Sequence, residues 1–283
     1  MSLSSAKHLL IDGHAHACGM YLTSESLTRY LDQYGVYSVV LVPGELNSAK
    51  TYDMPDVTSR FPDVNLVKVA NLLAGTVTRL AGATRQIPAG NQFVAELAAQ
   101  CPERVIQFVW MTMGIADPIG YLDRKYVEWK FMGIKLHQCW ESFKIDSPYF
   151  ECIAGWAEAR DLPLFIHLWS DREVRKLIDY KRRHPHLKLI VAHLFGMELF
   201  IRANLKDDNL FFDLSSFQLV SAKRILKAVE FFGAEKLLMG TDTPYGKDNL
   251  KGNLDRIQGL PITEEQKHLI LGDNMKRLLG IDL

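Results

Sequence analysis

Eight short apolar runs recur along the chain with helix-like stretches between them, and that alternation leaves few folds open. The runs span 9–16, 36–42, 105–110, 134–137, 164–167, 187–193, 210–214 and 236–240. They are rich in leucine, β-branched and aromatic residues and show little polar alternation, as expected of parallel strands buried on both faces. Helical stretches are read at 24–34, capped at Ser24 and stopped by Gly35, and at 91–100, 119–131, 148–160, 171–183, 198–205, 222–232, 250–257 and 264–279. The alternation predicts an α/β chain closed into a (β/α)8 TIM barrel rather than an open sheet. Its 283 residues are close to the ~250 of one such barrel, so 1–283 is expected to be a single domain.

One stretch does not follow the rhythm. Residues 44–90 are irregular, with polar turns at 53–63 and a mixed apolar segment at 64–80 with room for one or two helices. A connection that long after the second strand lies on the face where barrels build active sites, and reads as an insertion or a lid.

Charge and composition exclude several classes. Lys plus Arg and Asp plus Glu both number 33, and the one basic block, Lys181-Arg182-Arg183, suits the negative end of its own helix. Nucleic acid is therefore not expected as a partner. No uncharged apolar run approaches the ~18 residues of a membrane span, and the first seven residues are too polar for a secretory signal, so a cytoplasmic protein is expected. Cys18, Cys101, Cys139 and Cys152 lack CxxC spacing and read as free thiols.

The chemistry sits at the ends of the runs. Leu9-Leu10-Ile11-Asp12-Gly13-His14-Ala15-His16 places two imidazoles on one side of a strand, because strand side chains alternate with period 2. Spacing alone is weak, since His184 and His186 share it while straddling a proline. The positions of the others carry the signal: His137 closes the fourth run, His167 the fifth and His193 the sixth, and Asp242 follows the eighth. A parallel barrel gathers all these ends around one mouth. His8, His184, His186 and His268 fall off that face.

Asp12-Gly13-His14-Ala15-His16, Gly133-Ile134-Lys135-Leu136-His137, Ile166-His167, Val191-Ala192-His193-Leu194, Phe212-Asp213-Leu214-Ser215 and Met239-Gly240-Thr241-Asp242-Thr243-Pro244 resemble the successive motifs of the amidohydrolase superfamily. They are closest to its amidohydrolase-2 branch, which includes aminocarboxymuconate-semialdehyde decarboxylase-like enzymes. The ending Asp273-Asn274-Met275-Lys276-Arg277-Leu278-Leu279-Gly280 is similar too, and the resemblance is weakest over 44–90.

The resemblance implies that His14, His16, His167 and Asp242 hold one divalent ion, with His193 beside the water or substrate. Three neutral imidazoles and a carboxylate suit zinc, or manganese as an alternative, with a position left open for water. A second ion would need a carboxylated Lys135 as bridge; a free Lys135 is expected, acting with His137 on an anionic substrate group. Trp140 and Trp169 are candidates for an aromatic wall, and Arg172 for a carboxylate clamp. The expected reaction is hydrolysis of a small carboxylated amide, ester or lactone by a metal-activated water, with His193 and Asp242 managing the proton. The alternative is metal-dependent nonoxidative decarboxylation of a small unsaturated or aromatic acid. A homo-oligomer through the outer helices would be ordinary for such a barrel.

Overall fold

The structure, a computed structural model, describes residues 8–72 and 83–281. Eight strands lie in one parallel sheet in sequence order: β1 (Leu10–Ala17), β2 (Val36–Pro43), β3 (Val105–Trp110), β4 (Gly133–His137), β5 (Leu164–His167), β6 (Leu189–Val191), β7 (Leu210–Asp213) and β8 (Leu237–Leu238). The helices between them are α1 (Ser24–Gln33), α2 (Ile87–Gln100), α3 (Pro118–Trp129), α4 (Pro148–Ala159), α5 (Asp171–Arg183), α6 (Met197–Arg202) and α7 (Ala222–Phe232). After β8 come α8 (Asn249–Gln258), α9 (Glu264–His268) and α10 (Asn274–Leu279). The barrel closes beyond β8: Gly13 N donates to Met239 O at 2.9 Å, Thr241 N to His14 O at 3.0 Å, and His16 N to Thr243 O at 2.8 Å.

Local sequence explains the helices. In α5, Val174, Leu177 and Ile178 recur at helical spacing and are buried. Ser170 caps its start by accepting from Glu173 N, and acidic residues in the first turn and basic ones in the last complement the helix dipole. In α1 the cap is Thr23, which forms a capping box with Ser26, and not Ser24 as the sequence suggested. The last helical region is broken rather than continuous: a π-helical turn, Leu269–Asp273, separates α9 from α10.

Two apolar layers follow from the period-2 alternation. One fills the space between strands and helices. The other, which includes Val40, Val42, Ile106, Phe108, Trp110, Phe165, Ile190 and Phe211, fills the barrel interior, where Met275 and Leu278 of α10 join it. Gly133 makes that filling possible, because a Cβ there would lie 2.4 Å from the Phe108 ring. Lys181, in the basic block that closes α5, is fully buried and bonded to Asp207 at 2.7 Å.

Within the region 44–90, residues 66–72 are helical, inside the segment read as holding one or two helices, and a 3-10 turn at Ala83–Gln86 leads into α2 at Ile87; residues 73–82 lie outside the described part. Among the described residues, none of the four cysteines forms a disulfide and no helix is long and apolar enough to cross a membrane.

Candidate active site

The carboxyl ends of the strands place a nest of imidazoles around one carboxylate, and hydrogen-bond bookkeeping fixes which nitrogens face inward. His16 Nδ1 lies 2.7 Å from Pro43 O at the end of β2. A carbonyl only accepts, so Nδ1 carries the hydrogen and Nε2 the lone pair. Ser215 Oγ spends its hydrogen on Asp213 Oδ2. Its lone pairs then accept from His14 Nδ1 at 3.0 Å and His193 Nδ1 at 2.9 Å.

His14, His16 and His193 therefore all present Nε2 lone pairs, at 3.7 and 3.2 Å from Asp242 Oδ1 and 3.9 Å from Asp242 Oδ2, respectively. Lone pairs facing a carboxylate at such distances repel unless a cation or proton sits among them. Lys135 Nζ, 2.9 Å from His14 Nε2, answers one of them. For the rest, imidazole nitrogens and a carboxylate are the donor set of zinc and related divalent ions. The ligand atoms of His14, His16 and Asp242 all lie within 4.8 Å of one another. The residues present fit a divalent ion.

The electrostatics follow from burial and neighbours. Burial alone would raise the Asp242 carboxyl, but a proton or cation shared with His16 Nε2 and positive charge among the surrounding imidazoles outweigh it and hold it well below the usual range. Ser216 Oγ donates to its other oxygen at 2.9 Å. Desolvation brings Lys135 down from 10.5 to about 7, with Asp242 and Asp213 resisting. Burial, then the Lys135 charge, keeps His14 and His137 neutral; burial and the His137 ring do the same for His167. Asp12, on β1, is raised to about 7 by burial and accepts from Tyr21 Oη and Thr241 Oγ1.

Backbone strain marks the same place. His193, Asp242 and Ser216 adopt left-handed conformations with φ of 54°, 61° and 63°. Such conformations are costly for residues with a Cβ and persist where the surroundings hold them. His193 thus sits in a turn after β6 and not on the strand read as ending there.

Three flat rings form a column beside the nest: Trp110 stacks on His137 with centroids 5.3 Å apart, and His137 on His167 at 4.0 Å. Trp140 leans on Trp110 at 4.9 Å. His137 Nδ1 accepts from Cys139 N, so its hydrogen is on Nε2. Trp169, half-buried, is tied by its backbone N to Gln138 Oε1, and Arg172 is exposed in the first turn of α5. His167 meets His193 edge-on at 4.8 Å, while its Nε2 bonds Asn71 Oδ1 at 2.8 Å.

The expected residues His14, His16, His193, Asp242 and Lys135 thus share one nest, with His137 and His167 against its side. Sequence reasoning quoted Asp213 and Ser215 within a resembling motif but gave neither a role, and it did not single out Trp110 or Asn71. Asp213 and Trp110 end apolar strands, as several of the histidines do, and Ser215 follows β7 by two residues, so position was the available signal; nothing local distinguishes Asn71.

Polar residues gathered at the carboxyl ends of eight parallel strands define an α/β-barrel enzyme with its site at that mouth. The chain belongs to the amidohydrolase family: that family's Amidohydrolase model, Amidohydro_2, matches residues 11–281. No curated protein matches it significantly. Among solved structures it resembles 2,6-dihydroxybenzoate decarboxylase from Rhizobium, at TM-score 0.67 and 16% identity over 96% of this chain and 99% of that one. A dihydroxybenzoic acid decarboxylase from Polaromonas sp. JS666, with bound manganese and 2-nitroresorcinol, matches at TM-score 0.64 and 17% identity, covering 96% and 97%. The 4-oxalomesaconate hydratase of Rhodopseudomonas palustris matches at TM-score 0.63 and 14% identity, covering 96% of each chain.

Proposed function

We propose that the protein is a metal-dependent hydrolase of a small carboxylated amide, ester or lactone. One observation carries this reading: three imidazole lone pairs and an ionised carboxylate converge, and among the described residues Lys135 answers only one of them. His14, His16 and Asp242 would hold one divalent ion, zinc or manganese, with His167 as the further ligand. Such an ion makes water a competent nucleophile at neutral pH and polarises a carbonyl.

The chain's own groups supply the rest. Asp242, held ionised, accepts a proton, and His193 Nε2, 3.9 Å from Asp242 Oδ2, stands next in line to pass it to the leaving group. A positioned base of this kind contributes about 10²–10⁴-fold. Lys135 and the Nε2–H of His137 orient the substrate's anionic group, and Arg172 lies on the rim for a carboxylate. Trp140 and Trp169 serve as the flat wall. The site would act within a single domain covering 1–283, with Asn71 of the insertion 44–90 at its edge.

The decarboxylase activity of two of the structural neighbours supports a second reading, in which the ring column binds a planar unsaturated or aromatic acid and His193 or Asp242 delivers the proton that replaces the carboxylate. Elemental analysis of protein purified without chelator is expected to give about one equivalent of metal, lost in His16→Ala and Asp242→Asn. Protein that takes up none on soaking would overturn both readings. Stoichiometric carbon dioxide from an accepted substrate would sink hydrolysis alone.

A further inference from the structure

Asn71 sits in the helical stretch 66–72 of the region after β2, yet its side chain is buried against the end of β5. Its Nδ2 donates to Leu168 O at 3.0 Å, and its Oδ1 lies 2.8 Å from His167 Nε2. The carbonyl of Leu168 can only accept, which fixes the orientation of the amide. Oδ1 therefore faces the imidazole, and an amide oxygen also only accepts, so His167 must place its hydrogen on Nε2. His14, His16 and His193 are anchored the other way round, through Nδ1.

We propose that Asn71 is a positioning residue that holds His167 in the Nε2–H tautomer, leaving Nδ1 as the only nitrogen with which this ring can bind an ion or accept a proton. This deepens the functional reading above and rests on it for the meaning of that nitrogen. It also gives the insertion a role in the site that does not require touching the substrate: a residue 96 positions earlier decides which atom of His167 is available. Ring nitrogens of metal-binding histidines are commonly set in this way by the partner of the other nitrogen.

The test is long-range ¹H–¹⁵N spectroscopy of chelator-treated, ¹⁵N-labelled protein, which separates hydrogen-bearing from lone-pair ring nitrogens; His167→Gln assigns the signals. Wild type is expected to show His167 protonated at Nε2. Asn71→Ala should lose that signature. Asn71→Asp, which keeps an acceptor oxygen, should retain it. Leu72→Ser, altering an exposed neighbour on the same helix, should also leave it unchanged. A wild-type ring protonated at Nδ1, or an Asn71→Ala spectrum identical to wild type, would overturn the proposal. The readout needs neither metal nor activity, so it is independent of the functional reading. Full metal content in His167→Ala would remove His167 from the ligand set while leaving the role of Asn71 standing.

Discussion

Replacing Ser215 by alanine probes how firmly the histidine tautomers are built into the barrel. The hydroxyl accepts from His14 Nδ1 at 3.0 Å and His193 Nδ1 at 2.9 Å and donates to Asp213 Oδ2. Its loss does not strand all three partners. His193 Nδ1 keeps the main-chain carbonyl of residue 215 at 3.2 Å, and Asp213 keeps the backbone N–H groups of His193 at 3.0 Å and of residue 215 at 3.1 Å. His14 Nδ1 is left with nothing nearer than Asp213 Oδ2 at 3.6 Å. One fully buried donor without a partner costs about 1–3 kcal/mol. Urea unfolding of the chelator-treated protein should therefore show a lower midpoint at unchanged slope. Because the freed ring can turn Nδ1 rather than Nε2 toward Asp242, metal affinity should fall by about 10–100-fold as well. A variant that matches wild type in both stability and metal affinity would show that the hydroxyl does not set the tautomers.

Four further outcomes are expected. In metal-free protein, unfolded Lys135 holds its proton up to 10.5 whereas the folded group releases it at about 7. The unfolded state thus binds more protons between those values, and stability contributed by this residue rises with pH through that window and is flat below it. Lys135→Met should remove that slope and stabilise the chelated protein at pH 7, by at most about 5 kcal/mol at 1.36 per unit; equal pH dependence in the two proteins would refute it. Gly240→Ala puts a Cβ 2.4 Å from Asp213 Oδ1 and 2.9 Å from His14 Cβ, and should cost about 1–3 kcal/mol in a melt and abolish metal retention. Zinc or manganese at one hundred times its dissociation constant should stabilise the chelated protein by about 2.7 kcal/mol, an effect absent in His16→Ala by calorimetry. Lys181→Ala leaves Asp207 without its 2.7 Å partner, and a stability loss near the lower end of about 3–5 kcal/mol is expected on denaturant titration, with activity retained.

The barrel was legible because its strands are buried on both faces and read as apolar runs of strand length, each separated by a helix whose cap or stop is visible. Where the reading slipped, tertiary contacts had taken over a local signal. The sixth run reads as strand through His193, yet β6 ends at Val191, because His193 N is drawn to Asp213 Oδ2 at 3.0 Å and its φ turns positive. The eighth run reads as five strand residues, but β8 pairs with β7 only at Leu237–Leu238, and the chain beyond it turns to bond β1. The π turn at Leu269–Asp273 has a partner no local pattern reveals: Met239 N donates to Ile270 O across the barrel seam.

For the site, the sequence disclosed the residues whose chemistry is unmistakable by type and failed on those that work by placing others. A histidine at a strand end invites attention, whereas Ser215 and Asn71 are ordinary polar residues until their partners are known. Yet the partners decide what the histidines can do. With Nδ1 of His16 held by Pro43 O, and those of His14 and His193 by Ser215 Oγ, three rings turn the same nitrogen toward Asp242. With Nε2 of His167 held by Asn71, the fourth ring is left with Nδ1 as its free nitrogen. Of these anchors, Pro43 ends β2 where the long connection begins, and Asn71 lies within that connection. That connection therefore contributes to the site through hydrogen-bond geometry, which has no signature in composition or periodicity, and swapping it for another of equal length should disturb the imidazoles before it disturbs the barrel.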